Sequence, residues 1–391
     1  MRQKGSLPLL SLCYKKKMKR IFTILLLLLP IVGFSQKSQP FTDEEKKEIE
    51  LALYMVDNAN PDGALEIYKK LEKRYPKNYD LCYEMAYAYS VKGEFQLALK
   101  MLNRVKDSPE ADERFFHMLG NTYDYLQNPK KSLKTYAEGL KRFPQSGILY
   151  LEQGNVYHNL EKYDEALQSY EMAMCVQPDY STSYYRAAQL LSNSTEKVWA
   201  LLYAEVYRLL ELNGERSEEM SKLIYETLLN SIHVESDSVM EITLTERNIY
   251  LPTTVEDFSI PLSIYYEASA QNACSQLSKL GDDVQMTSID ILSCIRDSAA
   301  ISVYEMSNMY PVSLIDYLHK VKEAGHWEAY NYWLLGMGNQ EEARSWLKTH
   351  ESELEEFAKW MSLNPFIPSE SYLTVRTKSE RKLRDLKALG L

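Results

Sequence analysis

The sequence has 391 residues, 45% of them hydrophobic, and a formal net charge of −10 at pH 7. This length allows two domains or one extended array, and the sparse glycine and proline, 14 of each, favour a helix-rich fold over a disordered chain. Residues 1–35 contain seven of the Lys and Arg residues and no acidic residue, so the remainder carries 38 basic against 55 acidic residues. Such an acidic chain repels a polyanion, which argues against a nucleic-acid partner.

The N-terminal segment 1–35 has the organisation of a secretory signal peptide. A basic stretch precedes about fourteen apolar residues at 21–34, and the small residues Gly33 and Ser35 suit cleavage after Ser35. We therefore expect export to the periplasm.

Two alternatives apply to this segment. Met18 begins a complete signal peptide by itself, so it is an alternative start of translation. An uncleaved inner-membrane anchor held by residues 18–34 is the second alternative, although the apolar run is short for a span and Pro30 interrupts it. Residues 36–44 form a linker in either case.

A periodic pattern follows the linker. Four pairs of identical residues lie 34 positions apart: Gly120 and Gly154, Tyr123 and Tyr157, Tyr136 and Tyr170, and Pro144 and Pro178. Looser copies precede and follow these two units. The pattern predicts helical hairpins in which small residues allow the two helices to cross closely, aromatic residues surround the crossing, and proline ends the second helix. Each hairpin buries its apolar face only against its neighbours.

The repeat resembles the tetratricopeptide repeat. The resemblance covers residues 45–214 as five units, and units three and four, 113–146 and 147–180, fit nearly every family position. In unit five, Leu212 stands where the terminal proline is expected, so the array ends there. An amphipathic helix within 215–233 is expected to cap it. The predicted fold is therefore mainly all-α, a superhelical solenoid followed by a mostly helical C-terminal domain.

In this family the first helix of each unit lines a concave groove that binds peptides. The resemblance implies these groove candidates: Tyr83, Tyr87, Arg114, His117, Asn121, Tyr125, Leu151, Asn155, His158, Tyr185 and Gln189. Asparagine amides bond a peptide backbone in both directions, and tyrosine adds contact area at low entropic cost. The alternative is that Tyr83, Tyr87 and Tyr185 only pack between helices. The lysines with which some family members clamp a terminal carboxylate are not in place.

The C-terminal region 234–391 loses the phase of the repeat. Residues 239–251 predict one short strand pair and 252–263 a loop. Helices are expected at 262–280, 284–306, 311–324, 326–337, 339–348 and 350–362. The basic residues 376–391 suggest a solvated tail or an amphipathic helix.

An aromatic-rich segment, 325–346, lies within this region. Its members, Trp327, Tyr330, Tyr332, Trp333 and Trp346, form either core or a binding patch. The segment also resembles the C-terminal region of exported bacterial repeat proteins of undefined role, which implies no activity.

The sequence offers no site-like cluster for catalysis, and motifs of nucleotide-binding proteins, zinc proteases and serine hydrolases do not occur in it. His117 and His158 lack a third metal ligand, so no metal or cofactor is expected. Cys274 and Cys294 are candidates for a disulfide in an oxidising compartment. We therefore predict a non-enzymatic adaptor of the bacterial cell envelope that binds a protein or peptide. The alternatives are a membrane-tethered structural component and an enzyme with its site in 234–391.

Overall fold

The computed structural model describes residues 40–236, 239–246, 261–280, 284–307 and 312–369. The predicted signal peptide, most of the predicted loop at 252–263 and the basic C-terminal residues lie outside the described residues. Within these ranges the chain forms sixteen α-helices and one two-stranded antiparallel sheet. The prediction of a mainly all-α solenoid is confirmed.

The repeat region consists of five consecutive helical hairpins. Its ten helices are α1 Asp43–Asp57, α2 Pro61–Glu72, α3 Tyr79–Val91, α4 Phe95–Val105, α5 Glu113–Tyr125, α6 Pro129–Arg142, α7 Gly147–Asn159, α8 Tyr163–Val176, α9 Ser181–Ser192 and α10 Lys197–Leu210. Each helix packs against the next one along the chain, and first helices of successive units also touch, as α5 and α7 do.

Helix N-cap residues recur with the same period of 34 residues as the hairpins. Asn78, Asp112 and Ser146 occupy equivalent places in three successive units, and each accepts a backbone hydrogen bond at the start of its unit's first helix. Tyr180 occupies the same place in the fifth unit and provides no cap. The loss of this cap coincides with the weakening of the repeat.

The turn inside each of the first four hairpins depends on one left-handed residue. Positive φ angles occur at Ala59 (60°), Gly93 (75°), Gln127 (57°) and Glu161 (59°), at equivalent places in these units. A single residue in this region reverses the chain between two helices. Only Gly93 adopts it without a steric cost, so the other three turns are held against local strain by the packed helices.

The crossing of the two helices explains the recurrent small residues of the pattern. A Cβ atom built on Gly120 would lie 2.1 Å from Cε1 of Tyr136, and one on Gly154 would lie 2.5 Å from Cε1 of Tyr170. Both tyrosines are almost completely buried. The prediction that glycine makes room for an aromatic ring at the crossing is confirmed.

The C-terminal region adds six helices and the strand pair. They are α11 Glu215–Leu229, β1 Ile232–Ser236, β2 Val239–Ile242, α12 Leu262–Leu277, α13 Ser288–Glu305, α14 Ser313–Glu323, α15 Trp327–Leu335 and α16 Gln340–Leu363. The strand pair begins earlier than the predicted range 239–251. Strand β1 starts at residues 232–233, which were assigned to the capping helix, and β2 pairs with it in antiparallel orientation. The sequence predicted two helices at 339–348 and 350–362. The structure joins them into α16, which is kinked at His350.

One hydrophobic core connects the fourth and fifth repeats to the C-terminal helices. The cluster extends from Leu151 to Phe366, whereas repeats one to three share a second cluster from Ala52 to Val156. Residue 234, where the predicted C-terminal region begins, therefore does not separate two hydrophobic cores. The cap α11 is itself covered, since it packs against α10 on one side and against α13 and α15 on others.

A buried ion pair joins the two regions. Arg296 of α13 pairs with Glu205 of α10, and both side chains are almost fully buried. The hydroxyl of Tyr330 donates to Glu205 Oε1 at 2.5 Å, and Asn331 Oδ1 accepts a hydrogen bond from Arg296. A buried charge requires such partners, so this cluster fixes the C-terminal helices on the array.

The aromatic segment is mainly core. Tyr330, Tyr332 and Trp346 are buried, and Tyr332 stacks on Trp346 with ring centroids 4.5 Å apart. Trp327 and Trp333 are partly buried against the same cluster. The two cysteines named as candidates for a disulfide are not bonded: Cys274 is buried, Cys294 is exposed, and both are free.

Candidate functional site

The concave face carries a pocket where repeats three, four and five meet. Its volume is about 430 Å³, and its lining residues are Asn121, Asp124, Tyr125, Glu152, Asn155, His158, Asn159, Tyr170, Arg186 and Gln189. They come mainly from the first helices α5, α7 and α9, as expected for the groove of such an array. Five of the predicted groove residues, Asn121, Tyr125, Asn155, His158 and Gln189, lie in this pocket.

Two asparagine–tyrosine pairs form the floor of the pocket. The hydroxyl of Tyr170 donates to Asn155 Oδ1 at 3.1 Å, and the hydroxyl of Tyr136 donates to Asn121 Oδ1 in the same way one repeat earlier. On the other side of its amide, Asn155 Nδ2 donates to Glu152 Oε2 at 3.0 Å. Each amide thus has a fixed orientation and keeps one acceptor lone pair and one N–H for a ligand.

The two carboxyl groups of the pocket have pKa values shifted in opposite directions. Burial acts to raise the pKa of Glu152, but hydrogen bonds from His117 and Asn155 and the charge of Arg186 outweigh it, so the pKa is lowered. Burial, together with the charge of Glu152, raises the pKa of Asp124. The pocket therefore presents an anion at Glu152, a cation at Arg186 and a more readily protonated carboxyl at Asp124.

The histidines occupy two different environments. His117 Nε2 lies 3.3 Å from Glu152 Oε1 and 3.0 Å from Asn121 Nδ2, so it belongs to the polar network behind the pocket. His158 is exposed and contacts the ring of Tyr163. In the described ranges no three His, Cys, Asp or Glu side chains gather into a group that could bind a metal ion.

Three predicted groove residues lie in the N-terminal half of the groove. Tyr87 is 40% exposed, and Tyr83 is partly buried beneath the guanidinium of Arg114, 5.5 Å from its ring. Arg114 is also paired with Asp112 at 2.7 Å. In the pocket itself, Tyr125 is 63% exposed.

Two predicted groove residues are buried in the structure. Leu151 is 4% exposed and packs in the core, because its side chain points between helices. Tyr185 is 7% exposed, and its hydroxyl donates to Glu219 of α11 at 2.6 Å. Gln189 donates to the same carboxylate at 2.8 Å, so α11 closes this end of the groove.

Sequence reasoning missed Glu152 and Arg186. Both fall outside the places that the family resemblance assigns to the groove, yet they occupy in units four and five the place that Glu84 has in the second unit. A charged residue that recurs in the middle of a packed helix was the available signal, since such a residue requires a partner or a solvent-facing site.

Among the described helices, none is both long enough and apolar enough to cross a lipid bilayer.

Two family models described as tetratricopeptide repeat match the chain, at residues 55–121 and 117–175. The small glutamine-rich tetratricopeptide repeat-containing protein 2 of Saccharomyces cerevisiae is 25% identical over 134 residues, which are 34% of this chain and 37% of that protein. The human protein O-mannosyl-transferase TMTC1 is 25% identical over 171 residues, 43% of this chain and 19% of that protein.

The chain thus spans well under half the length of both curated relatives. Among solved structures, PilW, described as a widely conserved type IV pilus biogenesis factor, is 15% identical with a TM-score of 0.42, covering 48% of this chain and 86% of that one. Repeats of this kind act as scaffolds for protein–protein interaction. The family matches agree with the hairpins, crossings and turns described above, and the chain therefore contains tetratricopeptide repeats over residues 55–175.

Proposed function

We propose that this protein is an adaptor of the bacterial cell envelope that binds an extended segment of a partner protein in its concave groove. The observation that carries the proposal is the pair of oriented amides, Asn121 and Asn155, on the floor of the pocket. A peptide backbone offers both a donor and an acceptor, and each amide retains the groups to pair with both. The acidic balance of the chain favours a protein partner over nucleic acid.

The test selects ligands from a phage-displayed library of random peptides, using the full chain, and measures their affinity by fluorescence anisotropy. Asn155→Ala removes one amide and Tyr125→Ala one exposed ring, and the matched control is Asn103→Ala on the outer surface of α4. We expect each groove variant to bind about tenfold more weakly, the loss of roughly one good hydrogen bond or aromatic contact, and the control to bind as the wild type does.

Failure to enrich any peptide, or equal binding by all four proteins, contradicts the proposal. Circular dichroism must show that the variants are folded, since Asn155 also accepts the hydrogen bond of Tyr170.

The envelope location is proposed from the N-terminal sequence and is tested by fractionation of a Gram-negative host and intact mass. A species that begins at Gln36 in the periplasmic fraction supports it. An uncleaved chain in the membrane fraction favours the tethered alternative, and uncleaved protein in the cytoplasm contradicts both.

A further inference from the structure

An apolar patch formed by Tyr87, Val91, Phe95 and Tyr125 lies at the groove in repeats two and three. Tyr87, Val91 and Tyr125 are 40%, 48% and 63% exposed. Tyr87 and Val91 lie one turn apart on the same face of α3. Phe95 follows four residues later, across the turn at Gly93, and is half-buried.

The patch is pre-formed and continues from the polar pocket. The rings of Phe95 and Tyr125 stack with their centroids 4.4 Å apart and their planes 8° apart. Phe95 thus covers one face of Tyr125 and leaves the other face open to a ligand. Tyr125 also lines the pocket, one turn after Asn121 on α5. A ligand that fills the pocket therefore extends directly onto the patch.

The groove changes its chemistry between repeats two and five. The two places that α3 fills with Tyr87 and Val91 recur every 34 residues. In units three to five these places hold amide side chains except at Tyr125: Asn121, Asn155, Asn159, Gln189 and Asn193. One end of the groove therefore offers hydrogen-bonding amides, and the other offers apolar and aromatic surface. A segment made only of polar residues would leave the apolar end exposed to water.

We propose that the apolar patch binds an aromatic or long aliphatic side chain of the partner segment, beside the residues whose backbone the amides hold. The inference rests on the proposed function and adds to it the chemistry of the ligand. Single exposed apolar residues are common on protein surfaces, but an apolar patch that adjoins a polar pocket is typical of an interaction site.

The patch favours an extended segment as its occupant. Because it lies inside a concave groove, an extended chain reaches it more readily than the folded surface of a second copy does. Burial of one large apolar side chain against the rings of Tyr87 and Tyr125 and the methyl groups of Val91 removes apolar surface of both partners from water.

The repeat sets the distance between this side chain and the amides. First helices of successive units touch, as α3 and α5 do, and packed helices have axes about 8–10 Å apart. An extended peptide rises about 3.3 Å per residue, so one repeat corresponds to about three residues. The residue on Tyr87 therefore lies about three residues from the one held by Asn121 and about six from the one held by Asn155.

The test applies the random-peptide selection to the full chain and to its Tyr87→Ser variant, and compares the two sets of enriched sequences. In the peptide that the wild type enriches most, the shared apolar residue is replaced by serine, and affinities are measured by fluorescence anisotropy. The matched control is Leu97→Ser, because Leu97 is also 40% exposed but lies two residues after Phe95, on another face of α4. Circular dichroism checks that both variants are folded.

We expect the peptides enriched by the wild type to share one aromatic or long aliphatic residue that Tyr87→Ser does not select. Replacement of that residue by serine should weaken binding about tenfold to the wild type and to Leu97→Ser, and less than about twofold to Tyr87→Ser. A peptide cut to two residues on either side of it should no longer respond to Asn155→Ala, because Asn155 lies about six residues away.

Selected peptides without a shared apolar residue overturn the patch, and so does an equal loss on serine replacement in the wild type and in Tyr87→Ser. In both cases the proposed function stands if Asn155→Ala still weakens binding. Sedimentation velocity tests the other occupant: a wild-type dimer that Tyr87→Ser dissociates assigns the patch to a second copy and overturns the inference. If no peptide is enriched, both the inference and the proposed function are wrong.

Discussion

Replacement of Glu84 by glutamine should stabilise the unliganded protein at alkaline pH and leave it unchanged at acidic pH. The carboxyl of Glu84 has a folded-state pKa of about 7, against 4.5 for an unperturbed glutamate. Between these values the folded protein binds more protons than the unfolded chain, so the wild type loses stability as the pH rises through this window. Glutamine carries no proton to lose.

The structure sets the size of the effect. The difference between about 7 and 4.5 corresponds to about 3 kcal/mol, because each pKa unit is equivalent to about 1.4 kcal/mol. Water at the open side of the groove screens part of this contribution, so we expect the variant to gain about 2 kcal/mol over the wild type at about pH 8. At about pH 4.5 the neutral carboxyl resembles the amide and the gain should vanish.

The assay is urea unfolding at both pH values, followed by far-ultraviolet circular dichroism. Tryptophan fluorescence is unsuitable, because all five tryptophans lie at or beyond residue 199 and report on the C-terminal core. Glu66→Gln serves as the control, since it changes the net charge equally at an exposed site.

A gain that is the same at both pH values would refute the reasoning, because it would show that the charge of Glu84 is not the cause. An equal gain in Glu66→Gln would assign the effect to the net negative charge of the chain instead of to burial.

Three further predictions concern the repeat geometry and the junction. Gly120→Ala should lower the free energy of unfolding by about 1–3 kcal/mol, because the new Cβ would collide with the ring of Tyr136. Addition of Tyr136→Leu should relieve part of this loss in a double-mutant cycle measured by urea unfolding. Gln127→Gly should raise the urea midpoint, by about 1 kcal/mol in stability, because φ is 57°, whereas Gln127→Ala should not. Arg296→Met should lower the free energy of unfolding by about 3–5 kcal/mol, because it leaves Glu205 charged and buried without a partner cation. Urea unfolding followed by tryptophan fluorescence should detect this loss. Replacement of both residues by apolar ones should restore much of the lost stability.

The local architecture of the repeats could be predicted from the sequence because its causes are local. Gly120 and Gly154 lie one period apart, and each faces a tyrosine of its own hairpin, so both ends of every such contact fall within one unit. The periodic glycine, aromatic and proline residues therefore predicted the five hairpins. The family resemblance assigned Asn121 and Asn155 to the groove, and both line the pocket of the structure. The helices of the C-terminal region were likewise predictable from apolar periodicity.

Contacts between units and between distant segments were decided only by the tertiary structure. The burial of Leu151 and Tyr185 depends on neighbouring helices, including α11, that no position within one repeat specifies. The pairing of Glu205 with Arg296 joins residues 91 positions apart, and it turns the C-terminal helices into a continuation of the core. The raised pKa of Glu84 could not be predicted from the repeat pattern, because the sequence shows only a glutamate on a helix. In the folded chain Glu84 is partly buried, and burial together with the charges of Asp80 and Asp57 raises its pKa to about 7, which depends on the packing of neighbouring helices and not on the identity of one residue.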